Sequence, residues 1–156
     1  MLAWTVVGAI ASAAGLAVGI WVLSVASGAR QASEEARKLA RQKDLVEELE
    51  QASERIQQMG LFAKSQQAHI VQLRANEVIV ACSSVLTRWP DHLGRDAKNA
   101  LLTARTKIHS IASVVSQSAQ PSERQWKAIA SDQLEVAQLI AGALGDARRT
   151  EERGNG

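Results

Sequence analysis

Residues 45–73 read LVEELEQASERIQQMGLFAKSQQAHIVQL, and whether they make one helix or two decides the architecture of the chain. Leu45, Leu49, Ala52, Ile56, Met59, Ala63, Gln66, Ile70 and Leu73 recur at alternating spacings of four and three, which puts them on one stripe of a helix. All but Gln66 are apolar. Gly60 could split the run into a hairpin, but the stripe passes it in phase, and a lone helical Gly costs only about 1 kcal/mol. One long helix is expected, with a break at Gly60 as the alternative.

Toward the C-terminus the stripe continues through Val78, Cys82, Val85 or Leu86 and Trp89 until RWPDHLG stops it. Pro90 disfavours helix at Trp89, and Asp91 and Gly94 suit a turn. A second helix opens near Asp96 and carries Ala97, Leu101, Ala104, Ile108, Ile111 and Val115 at the same spacing. The next begins at PSERQW, where Ser122 and Gln125 have the spacing of a capping box, and its apolar face is read as Trp126, Ile129, Ala130, Ala137, Ile140 and Leu144. The tail RRTEERGNG is charged and Gly-rich, and disorder is expected there.

Toward the N-terminus, Ala32, Ala36, Leu39 and Val46 keep the rhythm in another register, so a shift is expected near Lys43. Residues 1–29 hold no Asp, Glu, Lys, Arg, His, Asn or Gln. At 1.5 Å per residue, about 20 helical residues cross the hydrocarbon core of a bilayer, so this run is long enough to span. Trp4 and Trp21 would lie about 25 Å apart on a helix, near the separation of the two interfacial belts that indoles prefer. A cleaved signal fits less well, because no Lys or Arg precedes the apolar run and the run exceeds the usual length of such a segment. Arg30, Arg37, Lys38, Arg41 and Lys43 follow the run, and by the positive-inside rule they keep the rest of the chain cytoplasmic. The same cluster could hold anionic head groups. Gly8, Ala11, Gly15 and Gly19 fall near one stripe of the span, where small residues let a second helix approach closely.

Little in the chain points to catalysis. Cys82 is the only cysteine and lies on an apolar stripe, which suits a buried thiol better than an activated one. His69, His92 and His109 have no partners at metal-ligand spacing, and there is no phosphate-binding or dinucleotide-binding glycine motif. A net charge of +2 over 156 residues does not call for nucleic acid. With two Pro, one Phe and no Tyr, the composition favours helix.

The expected fold is therefore all-α: an N-terminal transmembrane helix, a long amphipathic helix and an antiparallel helical hairpin, as a three-helix coiled-coil-like array or a four-helix bundle. The expected divisions are residues 1–29 as anchor, 30–44 as a basic juxtamembrane start, 45–147 as a coiled-coil or bundle domain, and 148–156 as tail. The expected role is a non-enzymatic, single-pass scaffold of the inner membrane, without a cofactor. Its partners would be the membrane, a second copy and another protein, met through a seam of Leu45, Leu49, Ile56, Met59, Ile70 and Leu73. In layout, a span followed by a helical stalk in a short chain, the sequence resembles phage inner-membrane spanins, a resemblance that would put the stalk in the periplasm. A sensory helical bundle is the third expectation, from the register shift.

Overall fold

The computed structural model describes the backbone of residues 2–118 and 120–154 and the side chains of residues 29–118 and 120–150. Among the described residues all regular structure is helical: α1 (Leu2–Lys64), α2 (Ala68–Arg88), α3 (Arg95–Gln117) and α4 (Glu123–Gly154). The chain divides into two units, Met1–Ala40 and Arg41–Gly156. Every buried side chain among the described residues belongs to the second.

That second unit is a four-helix bundle, so the single long helix expected through residue 89 is corrected. The break falls at Ser65–Gln66–Gln67 and not at Gly60. Gln66 takes φ 54°, its amide donates to the Ala63 carbonyl at 3.1 Å, and the Gln67 amide donates to the Phe62 carbonyl at 3.0 Å. This is a Schellman closure with Gln in the left-handed position that Gly usually fills. Ser65 Oγ donates to the Leu61 carbonyl at 3.0 Å, a second bond to the acceptor its own amide already meets at 3.2 Å.

Each helix then runs against its neighbour. Glu48 meets Arg88 and Arg55 meets Glu77, so α1 and α2 are antiparallel. Lys107 reaches Asp132 and Glu135, so α3 and α4 are antiparallel as well. Gln42 meets Ala147 while Ile56 meets Gln133, which sets α4 antiparallel to α1 and completes an up-down-up-down ring. Leu45, Leu49, Ile56, Met59, Leu101, Ile108, Ile111, Ile129 and Ile140 are among the fully buried side chains at its centre. Burial of each is worth about 1.5–3 kcal/mol.

The connections follow from local chemistry. Between α2 and α3, the His92 amide donates to the Trp89 carbonyl at 3.2 Å, and the buried Trp89 and Leu93 close that end of the core. At the start of α4 the capping box forms: Gln125 Oε1 accepts from the Ser122 amide at 2.7 Å, and Ser122 Oγ accepts from the Gln125 amide at 3.4 Å. The expected disorder from residue 148 is also corrected. Helix α4 continues to Gly154, with Thr150 Oγ1 donating to the Asp146 carbonyl at 3.0 Å and Arg148 paired to Glu50 across the α1–α4 interface at 2.5 Å.

Among the described residues one helix, Ala68–Arg88, is long and apolar enough by length and composition to cross a membrane. A third of it is buried within the bundle, and Arg74 and Glu77 sit midway along it in a 2.7 Å ion pair. Its core-facing residues Val71, Ala75, Val78, Cys82 and Val85 account for its apolar character without a bilayer.

Candidate functional site

Of the residues singled out above, Trp4, Trp21, Gly8, Ala11, Gly15 and Gly19 have side chains outside the described residues. Arg30, Arg37, Lys38, Arg41 and Lys43 are all exposed, as are Ala32, Ala36 and Leu39. The expected register shift is not seen in the packing. Gln42 is buried three positions before Leu45, in phase with the stripe that runs on to Ala63.

The interaction seam is corrected. Leu45, Leu49, Ile56 and Met59 have no exposed surface, because α2 and α4 cover them, so they are core of this chain and offer no free stripe. Ile70 and Leu73 lie beyond the Gln66 turn on α2, where the change of direction removes them from that stripe. Ile70 is half-buried and Leu73 is 51% exposed.

Sequence reasoning missed two glutamines that join α1 and α4 by donating to backbone carbonyls. Gln42 is only 6% exposed, and its Nε2 donates to the Ala147 carbonyl at 2.8 Å. Gln133 Nε2 donates to the Ile56 carbonyl at 3.0 Å. Gly60, buried one turn after Ile56, leaves room for this contact, since a Cβ there would lie 2.8 Å from Gln133 Nε2. The signal was present in the spacing. Gln133 stands four after Ile129 and three before Val136, in the core rhythm, and so centres the α4 face on Val136, Ala143 and Ala147, with Ala137 and Leu144 half-buried at its edge and Ala130 exposed.

A surface cleft of about 250 Å³ lies between α1 and α2, lined by Glu48, Gln51, Arg55, Val80, Ala81, Ser84 and Arg88. Glu48 Oε1 accepts from Arg88 Nη1 at 3.0 Å and from Ser84 Oγ at 3.4 Å, while its Oε2 is buried without a partner. The Arg88 guanidinium lies 5.9 Å from the centre of the Trp89 ring, within cation–π range. These groups fasten the end of α2 to α1. Ion pairs this exposed contribute at most about 1 kcal/mol each.

Burial pushes the Cys82 thiol up to about 11, with Arg105 acting weakly in the opposite sense. A thiol so held is protonated and a poor nucleophile near neutrality. Lys107 is held above its ordinary value by hydrogen bonds to Glu135 at 2.9 Å and Asp132 at 3.2 Å. Among the described residues no group of three His, Cys, Asp or Glu is placed to hold a metal ion. Compared with known proteins, the chain matches no family model, no curated protein and no solved structure.

Proposed function

We propose that this chain is a membrane-tethered helical scaffold that works through protein contacts and self-association. The observation that carries the reading is the uncharged run of residues 1–29 followed at once by Arg30, Arg37, Lys38, Arg41 and Lys43. A tether of this kind confines the bundle to the bilayer surface and raises its effective concentration for partners. The basic flank favours a single pass through an inner membrane with the bundle in the cytoplasm. GLAVG, residues 15–19, supplies a small-residue face for a second span. The spanin-like alternative needs a helical stalk, and residues 41–156 are instead folded into four antiparallel helices.

Reporters active in only one compartment, fused after Gly156, test the reading together with alkaline extraction of membranes. The expected result is a carbonate-resistant chain with its C-terminus in the cytoplasm. Release of the chain into the soluble fraction would end the tether proposal, and a periplasmic C-terminus would reverse its orientation. Exchange of Gly15 and Gly19 for Ile should lower cross-linked dimer in membranes if the span self-associates.

A further inference from the structure

Contacts within the bundle fix the heights of α1 and α3 against each other. Gln133 on α4 bonds the Ile56 carbonyl on α1, and Lys107 on α3 reaches Asp132 and Glu135, which flank Gln133. Ile56 and Lys107 therefore stand level. Because α1 and α3 both run against α4, they climb the bundle together at 1.5 Å per residue and stay level along it. Asp44, Glu47 and Glu54 lie twelve, nine and two residues before Ile56, and Arg95, Lys98 and Arg105 lie twelve, nine and two residues before Lys107. Three acids on one helix stand at the heights of three bases on the other.

Each set is a stripe on its own helix. Asp44, Glu47, Gln51 and Glu54 follow spacings of three, four and three, and so do Arg95, Lys98, Leu102 and Arg105. The three acids and Arg95 are exposed, Lys98 and Arg105 are half-buried, and none of the six enters an ion pair among the described residues. Gln58 donates to Glu54 at 3.0 Å, which orients that carboxylate and leaves its charge. The charges beside the stripes are placed otherwise. Arg55 and Arg74 pair with Glu77, and Arg88 pairs with Glu48. Asp96 stands three turns before Lys107 and so lies on the α4 side of α3, while Lys43 is level with Gly94, ahead of the α3 stripe. In a single copy the two stripes cannot meet, because α2 packs between α1 and α3.

We infer that the basic stripe on α3 of one copy docks on the acidic stripe on α1 of the next. Parallel helices at equal height set Asp44 opposite Arg95, Glu47 opposite Lys98 and Glu54 opposite Arg105, with Gln51 and Leu102 at the centre. Five residues beyond Ile56 and Lys107, Leu61, 64% exposed, meets the half-buried Ala112. Acid against acid or base against base repels, so neither stripe pairs with its own counterpart. The contact is head-to-tail, and such contacts build a ring or a row in place of a closed two-fold dimer. Every copy keeps the same polarity, as chains inserted the same way into one membrane do. The inference rests on the scaffold reading and deepens it, since exposed ion pairs are weak singly and screened by salt, and tethering supplies the concentration at which several act together.

Cross-linking of the full chain in membranes tests this, and the only native thiol, Cys82, is buried and does not compete. Gln51→Cys and Leu102→Cys mark the uncharged centre of the contact. Chains carrying one mixed with chains carrying the other should give a disulfide-linked dimer, either alone should give none, and one chain with both should give a ladder of multimers. Glu47→Lys or Lys98→Glu should cut the mixed yield roughly tenfold with the thermal midpoint unchanged, and the two in one chain should restore it. Raising salt to about 0.5 M should lower the yield as well. Equal cross-linking by either cysteine alone, a mixed yield indifferent to the charge reversals, or no restoration by the double reversal overturns the proposal. A chain released from membranes that still cross-links residue 51 to residue 102 loses the tether and keeps this interface. A carbonate-resistant chain without that cross-link keeps the tether and loses the interface.

Discussion

Gln42 and Ala147, 105 residues apart in sequence, are joined by a 2.8 Å hydrogen bond from the Gln42 side-chain amide to the Ala147 carbonyl. The bond closes the helical ring by fixing the last helix to the start of the first, at a site with almost no access to water. Removing a buried partner costs more than the net worth of the bond, because the group left behind stays desolvated.

Gln42→Ala is therefore expected to lower unfolding free energy by about 1–2 kcal/mol in a urea titration. Gln42→Met keeps the volume and should cost less. The loss should be local, so amide exchange should quicken first around residues 143–150. Unchanged exchange there would mean that α4 is held without this contact.

Gly60 and Gln133 form a coupled pair, since a methyl group at residue 60 would displace the amide that bonds the Ile56 carbonyl. Gly60→Ala gains about 1 kcal/mol of helix propensity and loses a hydrogen bond of similar worth, so its net effect should be near zero. In a Gln133→Ala background the same change should stabilise by about 1 kcal/mol. Additive effects across the cycle would show that the contact does not matter.

Gln66 holds φ 54°, a backbone conformation that costs L-residues about 1–2 kcal/mol. Gln66→Gly removes that strain but adds freedom to the unfolded chain, leaving an expected gain of about 0.5–1 kcal/mol. Gln66→Val, β-branched, should destabilise by at least about 1 kcal/mol. The order of denaturation midpoints, Gly above Gln above Val, is the measurement.

Cys82 gives the bundle an alkaline signature. Its ordinary value is 9.0 and its folded value about 11, so between these the folded state keeps a proton that the unfolded state has lost. Stability must then fall as pH rises from 9.0 toward 11, by an amount approaching about 2–3 kcal/mol. Lys107, held above 10.5, contributes stability that is full below that pH and is lost above it, so the window from pH 9 to 10 isolates the thiol. Cys82→Ala should flatten the slope in that window. A slope that survives the substitution belongs to another group.

The apolar stripes were legible because packing repeats them. Leu45 to Ala63 on α1 and Ala97 to Val115 on α3 were legible as apolar faces, the first assigned to a partner and in fact covered by this chain, and the capping box at Ser122 and Gln125 was legible too. What escaped was polar or small. Gln42 and Gln133 occupy core positions by bonding carbonyls, and periodicity alone passes over a glutamine. The α1–α2 turn escaped because Ser65, Gln66 and Gln67 carry neither Gly nor Pro, and its conformation is set by the packing of α2 against α1. The destination of the α1 stripe was illegible for the same reason. A heptad shows that a helix has an apolar face, but whether a neighbour in the same chain covers it depends on where that chain turns.

The antiparallel pairing of α1 and α4 also determines how the bundle bears force. Arg41 and Arg148 lie at the same end of adjacent helices, so a pull between them opens the interface like a zipper instead of shearing it along its length. The contacts then carry the load one after another, beginning with Gln42 and Ala147 and the Glu50–Arg148 pair, followed by Gln133 and Ile56. A scaffold loaded between its first and last helices would yield at low force and in order, exposing the apolar face of α1 from Leu45 inward.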